Sequence, residues 1–147
     1  MTTEAEYAGR VVAGVDGSDS SLAALRWAAA HARRTGAIVE AVIAWQPPAA
    51  YDWLPEGSTV DFEGTAREIL DEAVGAIAGV YPDVPLLRQL APGHPAEVLI
   101  RVAKGADLLV VGCRGRGGFA SQLVGSVSLH CVIRARCPVM VLKEPRD

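Results

Sequence analysis

Short apolar segments alternate with helix-forming segments along this chain, and that alternation constrains the fold more than any other feature. Five apolar segments of strand length occupy residues 10–15, 37–45, 84–91, 107–112 and 138–143. Four helix-forming segments separate them, at residues 22–34, 62–81, 96–105 and 126–136. Strands that alternate with helices pair as a parallel sheet covered on both faces. We therefore predict an α/β, Rossmann-like fold with one open five-stranded parallel sheet.

The fourth strand segment, DLLVVG at residues 107–112, identifies the middle of that sheet. A strand that is apolar on both faces belongs where helices cover both sides. The chain length of 147 residues suffices for one domain with a substantial core. We find no internal repeat, low-complexity tract or linker, and predict a single domain over residues 1–147.

Composition excludes several classes of protein. Half of the residues are hydrophobic, which disfavours a disordered chain, and no apolar run approaches the length of a membrane span. The first ten residues, MTTEAEYAGR, contain neither the basic nor the apolar region of a secretory signal. We expect a cytoplasmic protein that does not associate with membranes.

The three cysteines, Cys113, Cys131 and Cys137, form no CxxC pair and no cysteine–histidine spacing of a zinc site. Such a pattern disfavours both disulfide and zinc frameworks. We expect three reduced, partly buried thiols and no metal ligands among them. Cys113 lies in a glycine-rich stretch and is the candidate for a reactive thiol.

Charge is unevenly distributed, although the net charge is only −3. Residues 52–83 carry eight acidic side chains and one basic side chain, whereas residues 101–136 carry six basic side chains and one acidic one. The overall balance disfavours non-specific nucleic-acid binding. The basic C-terminal third favours an anionic ligand, with simple solvation of each arginine as the alternative.

The glycine-rich stretch, GCRGRGGFASQLVGS, follows the fourth strand at residues 112–126. Ligands of open α/β sheets bind beyond the carboxyl ends of the strands, so this stretch lies on the ligand-binding edge. The fourth helix is predicted to begin near Ser126, and the leading N–H groups of a helix attract anions. Gly125 would admit an anion close to the backbone, and Arg114 would add charge-assisted hydrogen bonds. We predict a phosphate site here.

Two familiar phosphate motifs do not account for this stretch. The chain has no GxxxxGK[ST] sequence, which a P-loop requires. Residues 115–120, GRGGFA, match the loose GxGxxA dinucleotide pattern, but they follow the fourth strand rather than the first. No ribose-binding acid or substrate domain has room to follow them, so a dehydrogenase is disfavoured.

The glycine spacing G-x2-G-x9-G-S, formed by Gly112, Gly115, Gly125 and Ser126, leads to a family. With this spacing, and with three blocks in order at residues 11–28, 93–118 and 125–142, the sequence resembles the universal stress proteins of the UspA type over nearly its whole length. The resemblance implies the strand order 3-2-1-4-5. It also implies the ATP-binding branch of the family, which this glycine spacing marks.

The resemblance further implies a set of residues that contact ATP at the strand ends and at the start of the fourth helix. They are Gly14, Val15, Asp16, Trp45, Val111, Gly112, Arg114, Gly115, Gly125, Ser126 and Val127. Asp16 would lie close to the ribose and phosphates and could help to hold Mg²⁺ through them, and the main chain of Trp45 would read the adenine edge. In the implied strand order, Asp16 and Gly112 face each other where the connections diverge.

Structural interpretations compete with several of these roles. Asp16 also fits a turn or helix cap, since Asp-Gly favours turns, and the indole of Trp45 also fits the core. His31, on the first helix, is interpreted as a surface or packing residue, and His94, in a turn, as structural. His130 is also interpreted as structural, because it has no recognisable partner in the sequence. Residues 46–59 contain three prolines and are predicted to form neither helix nor strand.

Within that loop, two apolar residues have two possible roles. Trp53 and Leu54 could cover a ligand or could cover the core. The sequence alone does not separate these roles, so both stay open.

Catalysis finds no support in the motifs. The chain has no GxSxG sequence and no paired carboxylates near the glycine-rich stretch, so we expect slow ATP hydrolysis at most. The leading hypothesis is an ATP-binding regulatory module, which the resemblance connects with stress response or growth arrest. The alternatives are a slow ATPase or other nucleotide-dependent enzyme, and a cyclic AMP-binding protein.

The fifth strand would be an edge of the sheet in the implied order. A bare apolar edge strand invites pairing with another chain, and the resemblance implies a dimer formed by antiparallel last strands. We therefore expect a homodimer with Val139, Met140, Val141 and Leu142 at its interface.

Overall fold

In the computed structural model, which describes residues 9–114 and 124–143, five strands and four α-helices alternate along the chain. The strands are β1 (Arg10–Gly14), β2 (Ile38–Trp45), β3 (Leu86–Pro92), β4 (Leu108–Gly112) and β5 (Val139–Leu142). The helices are α1 (Asp19–Thr35), α2 (Phe62–Val80), α3 (Pro95–Val102) and α4 (Ser126–Arg134). All neighbouring strands are parallel and their order is β3-β2-β1-β4-β5. The predicted fold class and strand order are confirmed.

Helix boundaries follow local capping more closely than the apolar pattern suggests. Helix α1 begins three residues earlier than predicted, because the Ser18 side chain accepts a hydrogen bond from the Ser21 N–H at 3.1 Å. It ends where Gly36 adopts a left-handed conformation with φ 80°. Residues 46–59 form no regular α-helix or strand, as predicted, although Pro48–Ala50 makes a single turn of 3-10 helix. Proline suits the first position of such a turn, where its missing N–H costs nothing.

Two apolar clusters cover the two faces of the sheet. Helices α1 and α2 bury residues such as Leu25 and Ile77 against one face. Helices α3 and α4 bury residues such as Val98 and Cys131 against the other. Consecutive β4 residues, Leu109 and Val110, are fully buried in opposite clusters. The prediction that DLLVVG is a central strand covered on both sides is therefore confirmed.

An arginine on β1 joins three elements at the amino edge of the sheet. The Arg10 guanidinium donates to the Glu40 carboxylate of β2 at 2.8 Å. It also donates to the main-chain carbonyls of Val102 and Lys104, at the end of α3, at 3.0 and 2.9 Å. These bonds satisfy carbonyls that a helix end leaves without intrahelical partners. In the part of the chain that the structure describes, no helix is long and apolar enough to cross a membrane.

Candidate functional site

The carboxyl ends of β1 and β4 lie side by side, and their connections leave in opposite directions. Val11 pairs with Leu108 and Ala13 with Val110, so the residues that follow the two strands share one edge of the sheet. Strand β1 leads to α1 on one face, whereas β4 leads towards α4 on the other. This divergence creates the crevice in which open α/β sheets bind their ligands.

Asp16 begins the turn between β1 and α1 and is half-buried. Its Oδ1 accepts hydrogen bonds from the Ser18 N–H at 2.9 Å and from the Ser18 hydroxyl at 2.5 Å. Its own N–H donates to the Ser21 hydroxyl at 3.2 Å. Gly17, between them, has φ 85°. The interpretation of Asp16 as a turn residue is thus confirmed. Its role in binding a ligand at the crevice stays a prediction.

Gly14 and Val15 precede Asp16 and are held by neighbouring elements. A Cβ on Gly14 would lie 2.9 Å from Leu99 Cδ1, so the absence of a side chain lets α3 pack closely on β1. Val15 is buried, and its N–H donates to the Val42 carbonyl of β2 at 2.8 Å. The Val15 side chain therefore belongs to the core, and the predicted ligand contacts of these residues would be made by main-chain atoms.

Trp45 ends β2 at the same edge of the sheet. Its carbonyl accepts a hydrogen bond from the Gly93 N–H at 2.8 Å, in the turn that leads to α3. Its indole is half-buried and packs against the cluster beneath α1 and α2. The indole therefore contributes to the core, as one of the two interpretations holds.

Gly112 ends β4 against the first turn of α1. A Cβ there would clash with the Ser20 hydroxyl and would lie 2.7 Å from the Ser20 carbonyl carbon. The sequence attributes this glycine to a turn around phosphate, but the structure gives it a packing reason as well. Val111, just before it, is buried at 3 % exposure in the cluster beneath α3 and α4.

Cys113 and Arg114 follow Gly112 at the end of β4. Cys113 is buried, with its Sγ 3.9 Å from the Ser20 hydroxyl, so the expectation that it is the reactive thiol is not supported. Cys137 is instead the partly exposed cysteine. Arg114 is half-buried at the same edge. Gly115, and the GxGxxA match at residues 115–120, lie outside the described residues.

The amino terminus of α4 is built differently from those of the other helices. Ser18, Asp61 and His94 cap α1, α2 and α3 by accepting a backbone N–H. Helix α4 begins after Gly125 (φ −72°, ψ 164°) and has no side-chain cap among the described residues. Its leading N–H groups therefore resemble those that bind anions in other proteins.

Two hydrogen bonds fix this helix end to β4. The Gly125 N–H donates to the Cys113 carbonyl at 2.5 Å, and the Ser128 hydroxyl donates to the Gly112 carbonyl. Ser126 is exposed and Val127 is half-buried at the resulting edge. The structure thus brings together the predicted residues of β1, β4 and α4. The sequence analysis missed Ser128, which only its tertiary contact distinguishes from other helix serines.

The histidines have partners that the sequence did not reveal. His94 Nδ1 accepts the Ala96 N–H at 3.3 Å and caps α3, which supports its structural interpretation. Its ring centroid lies 6.4 Å from that of His130 on α4, so His130 is not isolated. His31 stacks on Trp27 with centroids 5.0 Å apart. Proline favours the first position of a helix, so Pro95 indicates in the sequence that α3 starts there and that His94 occupies the cap position.

Alkaline pH should destabilise the protein through Cys131 of α4. Burial, and to a lesser extent Cys137, raises the pKa of the Cys131 thiol from 9.0 to about 11. The unfolded chain loses this proton near pH 9 and the folded chain retains it, so the stabilisation is complete below pH 9 and is lost as the pH approaches 11. Between pH 8.5 and 10.5 the loss should be about 1.5–2 kcal/mol, less than the full value because pH 10.5 still lies below the pKa of the folded protein. Urea unfolding at pH 8.5 and 10.5 measures it.

The matched control for this prediction is Cys131→Ala. That variant should be less stable at both pH values, because it leaves a cavity, but its stability should decrease less between them. Equal decreases in the two proteins would contradict the assignment to Cys131.

Comparisons with known proteins agree on one family. The family model described as "Universal stress protein family" matches residues 8–143. A universal stress protein of Mycolicibacterium smegmatis is 37 % identical over 138 residues, which cover 90 % of this chain and 45 % of the relative. A universal stress protein of Mycobacterium tuberculosis is 36 % identical over 137 residues, with 91 % and 45 % covered. The chain thus spans less than half the length of these curated relatives.

Solved structures show the same likeness. One is a universal stress protein in complex with cAMP, with TM-score 0.71, 29 % identity, and coverage of 93 % of this chain and 98 % of that one. Another is the universal stress protein from Archaeoglobus fulgidus in complex with dAMP, with TM-score 0.66, 27 % identity and coverage of 92 % and 98 %. Both of these solved structures contain an adenine nucleotide.

Proposed function

Because this chain belongs to the universal stress protein family, we propose that it binds ATP and acts as a nucleotide-dependent regulatory module in stress response or growth arrest. The observation that carries this function is the amino terminus of α4. It has no side-chain cap among the described residues, and it is held beside the carboxyl ends of β1 and β4. Universal stress proteins of similar fold that bind cAMP and dAMP support an adenine nucleotide as the ligand.

In this proposal the phosphates lie against the leading amides of α4. Gly125 has no side chain to stand in front of those amides, and Ser126 adds a hydroxyl at an exposed position. Arg114 supplies positive charge from the end of β4. The adenine lies near the end of β2, where main-chain groups of Trp45 meet its edge. The Trp45 carbonyl accepts from Gly93, and a carbonyl has a second lone pair to offer.

Mg²⁺ fits this site only as a partner of the phosphates. Among the described residues no group of three His, Cys, Asp or Glu side chains could hold a metal ion. Mg²⁺ in nucleotide sites is commonly bound by one or two carboxylates together with phosphate oxygens. Asp16, at the crevice, would provide that carboxylate, and the ion would offset the charge of the phosphates.

Calorimetric titration of the purified chain with Mg–ATP tests the function. We expect saturable binding with one nucleotide per chain. A titration without saturation at millimolar ATP would overturn the proposal. The cytoplasmic location expected from the sequence forms part of it, since ATP is available there.

Cyclic AMP is the second candidate ligand, because a similar universal stress protein was solved in complex with cAMP. The leading α4 amides, which no side chain of the described residues caps, favour ATP, because its terminal phosphates carry more negative charge than a cyclic phosphodiester. Competition calorimetry, with ATP titrated into protein saturated with cAMP, separates the two. We expect ATP to displace cAMP, and the reverse order of affinity would make cAMP the ligand.

Fast hydrolysis of ATP is not part of the proposed function. Among the described residues, the ends of β1 and β4 present no paired acid and base that could activate water. The competing class is a nucleotide-dependent enzyme, such as an ATPase. Single-turnover assays with radiolabelled ATP distinguish the two. We expect product to form far more slowly than once per second, and several turnovers per second would refute the regulatory module.

The proposal includes a homodimer formed along β5. This strand is the edge of the sheet next to β4, and Met140 is exposed in its middle. Leu129, Val132 and Ile133 of α4 are also exposed large apolar residues. Pairing of two β5 edges would satisfy their backbone groups and would cover apolar surface that is otherwise in contact with water.

Met140→Lys should convert this dimer into a monomer. Two lysines brought together across paired edges repel each other, and lysine is a residue that natural edge strands use to prevent pairing. We expect the dimer dissociation constant to increase at least about 10-fold, by about 1.4 kcal/mol. Sedimentation equilibrium measures it. The control is Leu87→Lys, at an exposed position on the other edge strand β3. A control that dissociated equally would refute the β5 interface.

A further inference from the structure

The loop between β2 and α2 carries an aromatic ladder of three rings, Tyr51, Trp53 and Phe62. Tyr51 stacks on Phe62 with ring centroids 4.6 Å apart and planes 9° apart. Trp53 meets Tyr51 edge to face at 6.0 Å and 89°. The indole at the end of this ladder is 76 % exposed. The loop is therefore pinned to α2 through one ring while it presents another to solvent.

The ladder stands at the ligand-binding edge of the sheet. Phe62 is the first residue of α2, and β2 ends at Trp45, so both ends of the loop lie at the carboxyl edge. Helix α2 and Trp45 pack in the same apolar cluster, which places the ladder on the same face as Trp45. The loop that carries Trp53 therefore starts beside Trp45, at the edge of the sheet where the proposed site places the base of a nucleotide.

The exposure of Trp53 argues against one of the two roles that the sequence leaves open for it. A side chain that is 76 % exposed does not cover the core. Tryptophan is highly buried on average, so an indole held in solvent by a stacked tyrosine calls for a reason. The face of an indole is a suitable platform for a nucleobase, because bases stack on aromatic rings with substantial free energy.

We propose that Trp53 is a specificity-determining residue that stacks on the purine base of the bound nucleotide. This role rests on the proposed ATP site and adds to it a base contact from the loop. The Tyr51–Phe62 stack positions the indole, so that little side-chain freedom remains to be lost on binding. The residues that the family resemblance implies for ATP do not include this ladder, although the sequence analysis gives covering a ligand as one of two roles for Trp53.

Trp53→Ala should weaken ATP binding roughly 5- to 150-fold, which corresponds to one base–aromatic stack. Trp53→Phe, which retains a ring, should stay within about threefold of the unmodified protein. Inorganic tripolyphosphate, which has no base, should compete for the site equally well in all three proteins. Calorimetry with ATP and with tripolyphosphate measures these affinities. The matched control is Leu87→Ala, which removes an exposed apolar side chain from β3 and should leave ATP affinity unchanged.

The outcomes separate this role from the function on which it rests. If the unmodified protein binds ATP and Trp53→Ala binds it within twofold, base stacking is refuted while the ATP site stands. If Trp53→Ala loses affinity for ATP and tripolyphosphate in equal proportion, Trp53 supports the fold of the site and base stacking is again refuted. If the unmodified protein does not bind ATP, both are refuted. If Trp53→Ala loses affinity for ATP but not for tripolyphosphate, and Trp53→Phe retains the affinity for ATP, base stacking by Trp53 is supported.

Discussion

Replacing Gly125 by valine should weaken ATP binding at least about 100-fold. Gly125 caps α4 with φ −72° and ψ 164°, an extended conformation that any residue adopts, so the backbone does not demand glycine. A branched side chain at this position would stand in front of the leading N–H groups of α4. Two hydrogen bonds from amides to a charged phosphate contribute about 3–6 kcal/mol together. Calorimetric titration with Mg–ATP measures the loss.

A second variant separates ligand exclusion from damage to the fold, because Gly125 is itself buried. Serine is as good a helix cap as glycine or better by a few tenths of a kcal/mol. Gly125→Ser should therefore keep or raise the thermal midpoint, yet its hydroxyl would occupy the place of a phosphate oxygen and lower ATP affinity. If both variants bound ATP with unchanged affinity, α4 would not be the phosphate site. If the ATP affinity of the two variants fell only in proportion to their loss of thermal stability, exclusion of the phosphate would be the wrong explanation.

Gly112→Ala should destabilise the fold by about 1–3 kcal/mol or more. The added methyl group would lie 2.7 Å from the carbonyl carbon and 2.8 Å from Cβ of Ser20, in the first turn of α1. Ser20 is fully buried, and backbone atoms in a helix cannot rotate away as the end of a flexible side chain can. The thermal midpoint should fall by several degrees. Urea unfolding, read as a lower midpoint at unchanged slope, measures the effect.

Gly14→Ala is the matched control at the end of the neighbouring strand. Its methyl group would meet Leu99 Cδ1 at 2.9 Å, and that atom is the far end of a side chain that can adjust. We expect a cost below about 1 kcal/mol, at the small end of the range for an added core methyl. Equal stability of the two variants would show that close packing of Gly112 against Ser20 of α1 does not require glycine.

The fold could be predicted from the sequence because its determinants are local. Alternating apolar and helical segments define an α/β sheet, and the apolar β4 segment identifies a central strand, as Leu109 and Val110 confirm. The strand order required the family resemblance, since local patterns do not state which strands pair. The starts of α1 and α2 follow Ser18 and Asp61, which fit the capping preferences that a sequence reveals.

The candidate site was only partly predictable, since its organisation depends on contacts between distant residues. Gly112 was assigned to the ligand, but its contact with Ser20 also explains it by packing. Cys113 is the candidate for a reactive thiol because it lies in the glycine-rich stretch, whereas the structure buries its side chain at the end of β4. His94 and His130 are far apart in sequence, and only the packing of α3 on α4 brings their rings together. No periodicity in the sequence records these contacts.

Backbone amide chemical shifts of the isotope-labelled full chain, titrated with Mg–ATP, test the central claim most directly. The proposed site predicts saturable shifts at Asp16, Trp45, Gly112, Ser126 and Val127, which lie at the carboxyl edge. The amide chemical shifts of Arg10 and Lys104, which lie at the opposite edge of the sheet, should stay unchanged. Saturable shifts confined to the carboxyl edge would support an ATP site at the start of α4. Absence of shifts at millimolar ATP, or shifts centred on Arg10, would contradict it.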